Sequence, residues 1–339
     1  MATFVIAEIG VNHNGSLDVA CKLIDAAKLA GADAVKFQTF SSTDLVTDKS
    51  ECALYQQAGL NETKSQLSML QELELSRDDF FQISSYCEKQ QIQFLSTPFE
   101  PIHLDFLVEL GIKAIKVPSG EITNIPFLEH ISYVSSLNDL PIYLSTGMSS
   151  LSDIQVALEV FYSHKIKSNN IFIMHCTSAY PAPIYDLNLS AIKTIKNAFN
   201  CKIGYSDHSD GINASIIAVA YGAEVLEKHI TLDKNMMGPD HKASIEPHVF
   251  RYMVENIREV ELMIGDGIKK IQPSELNVYK VARRSIRASK FISKGTEITL
   301  DMINFKRPND GLSPVNYKDI IGRPASSDYN TGDCINEII

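Results

Sequence analysis

The chain has 339 residues, 45% of them hydrophobic and 21% charged, with a formal net charge of -10. That balance suits a globular protein too long for one small domain, and its acidity offers nothing to nucleic acid or an anionic membrane surface. The opening run MATFVIAEIG has no basic residue and is too short for a signal peptide or membrane span. Cys21, Cys52, Cys87, Cys176, Cys201 and Cys334 fall without paired spacing. Free thiols in a reducing compartment are expected, and so a cytoplasmic protein.

Up to about residue 265, short β-rich runs alternate with segments of helical period. The predicted strands are 4–9, 34–37, 93–96, 114–117, 142–145, 171–175, 202–205 and 225–228. Helical stretches such as 17–29, 78–90, 151–161, 213–221 and 248–264 lie between them. The spellings GAD, LGIKA and YGAEV put a glycine where a helix ends and the next strand begins. Eight alternations over about 250 residues predict an α/β fold, a (β/α)8 TIM barrel, rather than an open doubly wound sheet. No GxGxxG follows the first strand, which removes the main support for a dinucleotide fold. The longest insertion, 41–75, is polar and follows the second strand, so it is expected over the catalytic face as a lid. Pro273 and a polar stretch then interrupt the pattern. Residues 1–267 are read as the barrel, 268–284 as a linker, and 285–339 as a small domain of short strands and tight turns.

Barrel enzymes work at the carboxyl ends of their strands. Here those ends carry Glu8, Lys36 with Gln38, Ser96-Thr97, Lys116 followed by Ser119 and Glu121, and Ser145-Thr146. The last three carry His175 to Ser178 with Tyr180 beyond, Ser206-Asp207-His208, and Glu227-Lys228-His229. Packing alone does not explain polar groups at the same end of every strand. His208 and His229 close adjacent strands, where two imidazoles can converge on Mn2+ or a similar divalent ion, Mg2+ and Co2+ being alternatives. Zinc with a third, cysteine ligand is a weaker variant, and two hydrogen-bonded interior histidines are the plainer reading. Lys36 and Lys116, with the hydroxyls of Thr97, Ser119, Ser178 and Ser206, make a candidate phosphate cradle. A lysine within AVKFQ or AIKVP, amid buried neighbours, needs a partner for its charge. Glu8, Glu121 and Asp240 are carboxylates that can move protons or hold sugar hydroxyls. Glu121 can equally cap a turn, and Gly238 to His241 can be a turn and nothing more.

These residues lie in AEIGVNHNGS, VKFQTF, FLSTPF, KVPSGEITN, STGM, HCTSAYPAP, GYSDHS, EKHITLDKNMMGPDHKASIEP and KRPNDGLSP. Together, and in this order, the motifs resemble the bacterial sialic acid synthase family over almost the whole chain. The resemblance implies an enzyme that condenses phosphoenolpyruvate with an N-acetylated mannosamine-type sugar, giving a nine-carbon 2-keto sugar acid and phosphate. It also implies that the C-terminal domain is an antifreeze-like (SAF) domain. The run LDKNMMGPDHKASIEP, with GDGIKK following, is most similar to the branch making N,N'-diacetyllegionaminate, with the N-acetylneuraminate branch close behind.

By the same resemblance His208 and His229 are metal ligands, with Mn2+ usual. Lys36, Thr97, Lys116, Ser119 and Ser206 match phosphoenolpyruvate contacts, and Ser178 falls where some members have asparagine. Gln38, Glu121, Tyr180 and Asp240 match positions around the acceptor sugar, and Glu121 and Glu8 are the expected proton carriers. Arg307 matches an arginine that reaches the active site of the other subunit, which implies a domain-swapped homodimer. Asn309 stands where many relatives have glycine; it can take the left-handed conformation, so the turn is expected to persist.

Other phosphoenolpyruvate-condensing barrels are the first rivals. The C-terminal domain argues against a 3-deoxy sugar-acid synthase, and GPDHKASIEP against a pseudaminate synthase. An inactive carbohydrate-binding barrel is the rival of another class, and the intact strand ends argue against it.

Overall fold

The computed structural model describes residues 2–47, 50–59 and 65–336. They form two compact units, Met1–Gly265 and Asp266–Ile339. In the first unit eight strands run parallel: β1 Phe4–Gly10, β2 Ala34–Thr39, β3 Gln93–Pro98, β4 Ile115–Val117, β5 Ile142–Ser145, β6 Ile171–Cys176, β7 Lys202–Asp207 and β8 Val225–His229. They pair in the order β3-β2-β1-β8-β7-β6-β5-β4, and the two end strands, β3 and β4, pack against each other. The sheet thus comes round on itself as the predicted barrel, with strand ends at most two residues from those expected.

Local chemistry explains the helices. Leu17–Leu29 starts at Ser16, whose hydroxyl accepts from the Val19 amide, and buries Ala20, Leu23, Ile24 and Ala27 on one face. The helices Arg77–Lys89 and Leu151–Ser163 each begin with a reciprocal cap, Ser76 with Asp79 and Ser150 with Asp153. Such caps are worth about 1 kcal/mol apiece. The helix Asn213–Ala220 is capped by Tyr221 and followed by Gly222, whose φ of 96° is one that a side chain would strain.

The strand period of two divides the barrel into layers. Val5, Ala7, Ile9, Val35, Phe37, Ile173 and Leu226 belong to the outer core shared with the helices. Ile6, Ala34, Leu95, Ala114, Tyr143, Met174 and Val225 fill the inside as a separate apolar plug. Two residues further along those seven strands stand Glu8, Lys36, Thr97, Lys116, Ser145, Cys176 and Glu227, with Ser206 on β7. The plug therefore sets the depth at which polar side chains begin.

The insertion after β2 is not a bare loop. It holds the short helices Ser42–Leu45, Leu54–Gly59 and Gln66–Leu73, and Leu45 and Val46 pack on a small core of Val11, Phe40, Cys52, Met69, Leu70 and Leu73. The remainder of the predicted lid, 48–49 and 60–64, lies outside the described residues, as do 337–339 of the C-terminal domain.

In the second unit β9, Ser285–Ala288, pairs antiparallel with β10, Ile303–Lys306, over a core that includes Ile286, Ile292, Ile298, Ile320 and Ile335. The stretch read as a linker carries a turn of 3-10 helix, Pro273–Glu275, and the helix Leu276–Ala282. Its apolar residues Leu276, Val278 and Val281 are exposed, so no buried face marks it in the sequence. Asn309 does not adopt the left-handed conformation. Its amide donates to the Lys280 carbonyl at 2.8 Å, and the Asp310 and Gly311 amides donate to Ser285 Oγ at 3.0 Å each.

Candidate active site

The polar layer above the plug opens into a cavity of about 510 Å³ at the carboxyl ends of the strands. Its floor is a buried ion network. Lys36 Nζ lies 2.8 Å from Glu8 Oε2 and donates to Thr97 Oγ1 at 2.7 Å. Lys116 Nζ donates to both oxygens of Glu227 at 2.9 Å, and Ser206 Oγ donates to Glu227 Oε1 at 3.1 Å. Lys36 Nζ is also 3.7 Å from Glu227 Oε1, so one carboxylate serves both ammonium groups. Charges held this far from water persist only when paired.

The network sorts its members by proton affinity. Burial, helped by the charge of Glu227 and opposed by Lys36, pushes Glu8 up to about 7. Burial would raise Glu227 too, but Lys116 and Lys36 outweigh it and pull it down to about 2. Lys36 is held above its ordinary range because Glu227 and Glu8 together overcome the effect of burial, whereas burial prevails at Lys116 and lowers it. The floor thus presents two cations, one firm anion and one carboxyl group that titrates near neutrality.

Two hydroxyls of the predicted cradle stand at its rim. The Gly147 amide donates to Ser119 Oγ at 3.0 Å. A Cβ on Gly147 would meet Ser178 Oγ at 2.1 Å and Ser119 Oγ at 2.8 Å, so only glycine lets the β5 turn approach both. Ser119 and Ser178 line the cavity beside Thr97, Lys116 and Ser206.

His208 and His229, with ring centroids 5.6 Å apart, close the cavity above Glu227. Burial holds the pKa of His208 down to about 4 and that of His229 well below its usual range, so both rings are neutral, the form that binds metal. His208 Nδ1 donates to the Thr177 carbonyl at 2.8 Å, which leaves the Nε2 lone pair free. Ser206 Oγ is 3.3 Å from that nitrogen but gives its only proton to Glu227. His229 Nδ1 is buried with no hydrogen-bond partner, and Asp240 Oδ2 stands 3.8 Å away. Two unprotonated imidazole nitrogens in one cavity fit a divalent ion with open positions. Among the described residues no three His, Cys, Asp or Glu side chains gather as a metal cage, so a cysteine-completed zinc site has no support. Tyr180 lies against His208, ring centroids 4.1 Å apart, and Tyr55 of the insertion stacks on Tyr180 at 4.8 Å.

Not every predicted residue is on the wall. Gln38 is, and its amide donates to Glu8 Oε1 at 3.3 Å. Glu121 accepts from the Asn124 amide at 2.7 Å in the turn after β4 and does not line the cavity. Asp240 is buried beside His229, and burial lifts it to about 6. Arg307 is an exposed residue of the second unit. Glu227 and Ser145, which the sequence placed at strand ends without a role, line the wall, as do Tyr55 and other insertion residues that it did not point to; among the described residues the buried Ser145 hydroxyl has no hydrogen-bond partner. Glu227 was legible in part, because on a strand it must face the same way as His229. Its neighbour Lys228 faces outward and pairs with Asp207 Oδ2 at 3.0 Å, fully buried.

Known proteins match the chain along both units. The model of the NeuB family matches residues 23–269, and that of the SAF domain matches 283–336. An N,N'-diacetyllegionaminic acid synthase of Campylobacter jejuni is 44% identical over 99% of both chains. A protein of the same name from Legionella pneumophila is 42% identical over 98% of this chain and 93% of its own. Among solved structures, the N-acetylneuraminic acid (sialic acid) synthetase of Leptospira borgpetersenii superposes with a TM-score of 0.73 at 34% identity, covering 82% of this chain and 90% of that one.

Proposed function

The chain belongs to the NeuB family, and from that premise we propose that it condenses phosphoenolpyruvate with 2,4-diacetamido-2,4,6-trideoxymannose to give N,N'-diacetyllegionaminate and phosphate. The observation that carries the reading is the buried floor, in which Lys36 and Lys116 share Glu227 directly beneath a pair of neutral histidines. Lys36, Lys116, Thr97, Ser119, Ser178 and Ser206 bind the phosphate and carboxylate of phosphoenolpyruvate, and Gln38 and Tyr180 face the acceptor. Such anchoring fixes the carbon nucleophile, and positioning of this kind supplies several kcal/mol. His208 and His229 would hold a divalent ion, Mn2+ in our reading, whose charge would supply Lewis-acid polarisation of the acceptor's aldehyde.

The methylene carbon of phosphoenolpyruvate attacks the aldehyde carbon, and positive charge develops at its C2. Water adds there and loses a proton, and the tetrahedral intermediate collapses to the 2-keto acid by releasing phosphate. Glu8 suits the proton transfer, since a carboxyl group that titrates near 7 can both take and return a proton at neutral pH. Glu121, held by Asn124, has the weaker claim. With 18O in the bridging position of phosphoenolpyruvate, the label is expected to leave in phosphate. Label retained in the sugar acid would mean P–O cleavage and would overturn this course.

We further propose a domain-swapped homodimer in the cytoplasm, where six free cysteines are at home. The C-terminal domain is small for an independent fold and gains by docking on something larger. In this assembly Arg307 of one subunit binds the acceptor's N-acetyl oxygen at the other subunit's barrel. Mixing Arg307→Ala with His229→Ala protein and allowing exchange should restore up to about a quarter of normal activity, because one site in each mixed dimer is intact. No recovery despite demonstrated exchange would assign the arginine to its own barrel or to none.

A further inference from the structure

The cavity changes character between floor and mouth. Its ions belong to the floor, whereas the insertion contributes Leu45, Val46, Leu70 and the amides of Gln56 and Gln66. Among the described residues no charged side chain stands on this part of the wall. Leu45, Val46 and Leu70 are fixed by the small core beneath the insertion, so they form a shaped apolar surface. Gln56 turns its side-chain oxygen to its own Ala53 amide at 2.9 Å. Gln66, the first residue of the helix Gln66–Leu73, makes no side-chain hydrogen bond to any described residue and lines the cavity.

The order of the site gives the acceptor a direction. Its aldehyde must meet the nucleophile near the histidines, so its distal carbons point to the insertion. We infer that this wall selects the acceptor by its distal end, with Leu45, Val46 and Leu70 receiving a C6 methyl and the Gln66 amide holding a C4 acetamido group. The inference rests on the synthase reading above and adds the residues that choose among its acceptors. A C6 hydroxyl would lie against aliphatic carbon without a partner, and a 6-phosphate would meet no cation on this part of the wall among the described residues. An amide both donates and accepts, and so matches an acetamido group as a single hydroxyl does not.

The test uses the full-length protein with Mn2+ and saturating phosphoenolpyruvate, and compares kcat/KM for 2,4-diacetamido-2,4,6-trideoxymannose and N-acetylmannosamine. Gln66→Ala and Val46→Thr should each lower the first value about tenfold and leave the second within about threefold, with the KM for phosphoenolpyruvate and the melting temperature unchanged. Neither change disturbs the ion network, and alanine is well tolerated in a helix. Equal losses on both acceptors, or no loss on either, would overturn the inference while the synthase reading stood. Wild-type preference for N-acetylmannosamine would overturn the inference together with the acceptor assignment. Turnover of neither sugar would overturn the synthase reading, and this inference with it.

Discussion

Replacing either His208 or His229 with alanine is expected to lower kcat by about a thousandfold or more while the protein stays folded. Lewis-acid activation of a carbonyl is worth several kcal/mol, and each 1.36 kcal/mol is a decade of rate, so losing about 4 kcal/mol removes about three decades. The structural cost is smaller. His208 forfeits its 2.8 Å bond to the Thr177 carbonyl, about 1 kcal/mol, and His229 Nδ1 has no hydrogen bond to lose. Steady-state rates, bound metal per chain and melting curves on the same preparations separate the two effects. A full rate in either variant, or wild-type activity that resists chelation, would remove the metal from the mechanism.

Glu227→Ala should be the most destabilising change in the site. It leaves Lys116 and Lys36 buried with one compensating carboxyl group, Glu8. Breaking a buried ion pair from one side costs about 3–5 kcal/mol. At about 2–4 °C per kcal/mol for a unit of this size, the melting temperature should fall by about 10 °C. An added anion supplies the missing charge, so inorganic phosphate or phosphoenolpyruvate should raise the melting temperature of the variant more than that of the wild type. A variant that melts like the wild type would mean that the lysines do not depend on this carboxylate.

Much of the site could be read from sequence because its causes are local. Strand periodicity places Lys36 with Gln38, Ser206 with His208, and Glu227 with His229 on shared faces, whatever the partners turn out to be. The same rule hides a difference that sequence alone does not resolve. Glu227 and Lys228 are adjacent and both buried, yet one faces the cavity and the other pairs with Asp207 outside the barrel. Which parity faces inward depends on how the sheet closes.

The sequence by itself determined the alternation of eight strands and helices, the capped helix starts, the polar strand ends and the two histidines. Each follows from side-chain period or from bonds between residues a few positions apart. Tertiary structure alone decided the pairing of Lys116 with Glu227 across 111 residues and the stacking of Tyr55 on Tyr180. It also gave the insertion a small core and a place on the cavity wall, and it kept Asn309 out of the left-handed conformation. The physical reason is range: periodicity and capping act within a turn or a strand, whereas a buried charge finds its partner only when barrel closure brings distant strands into register.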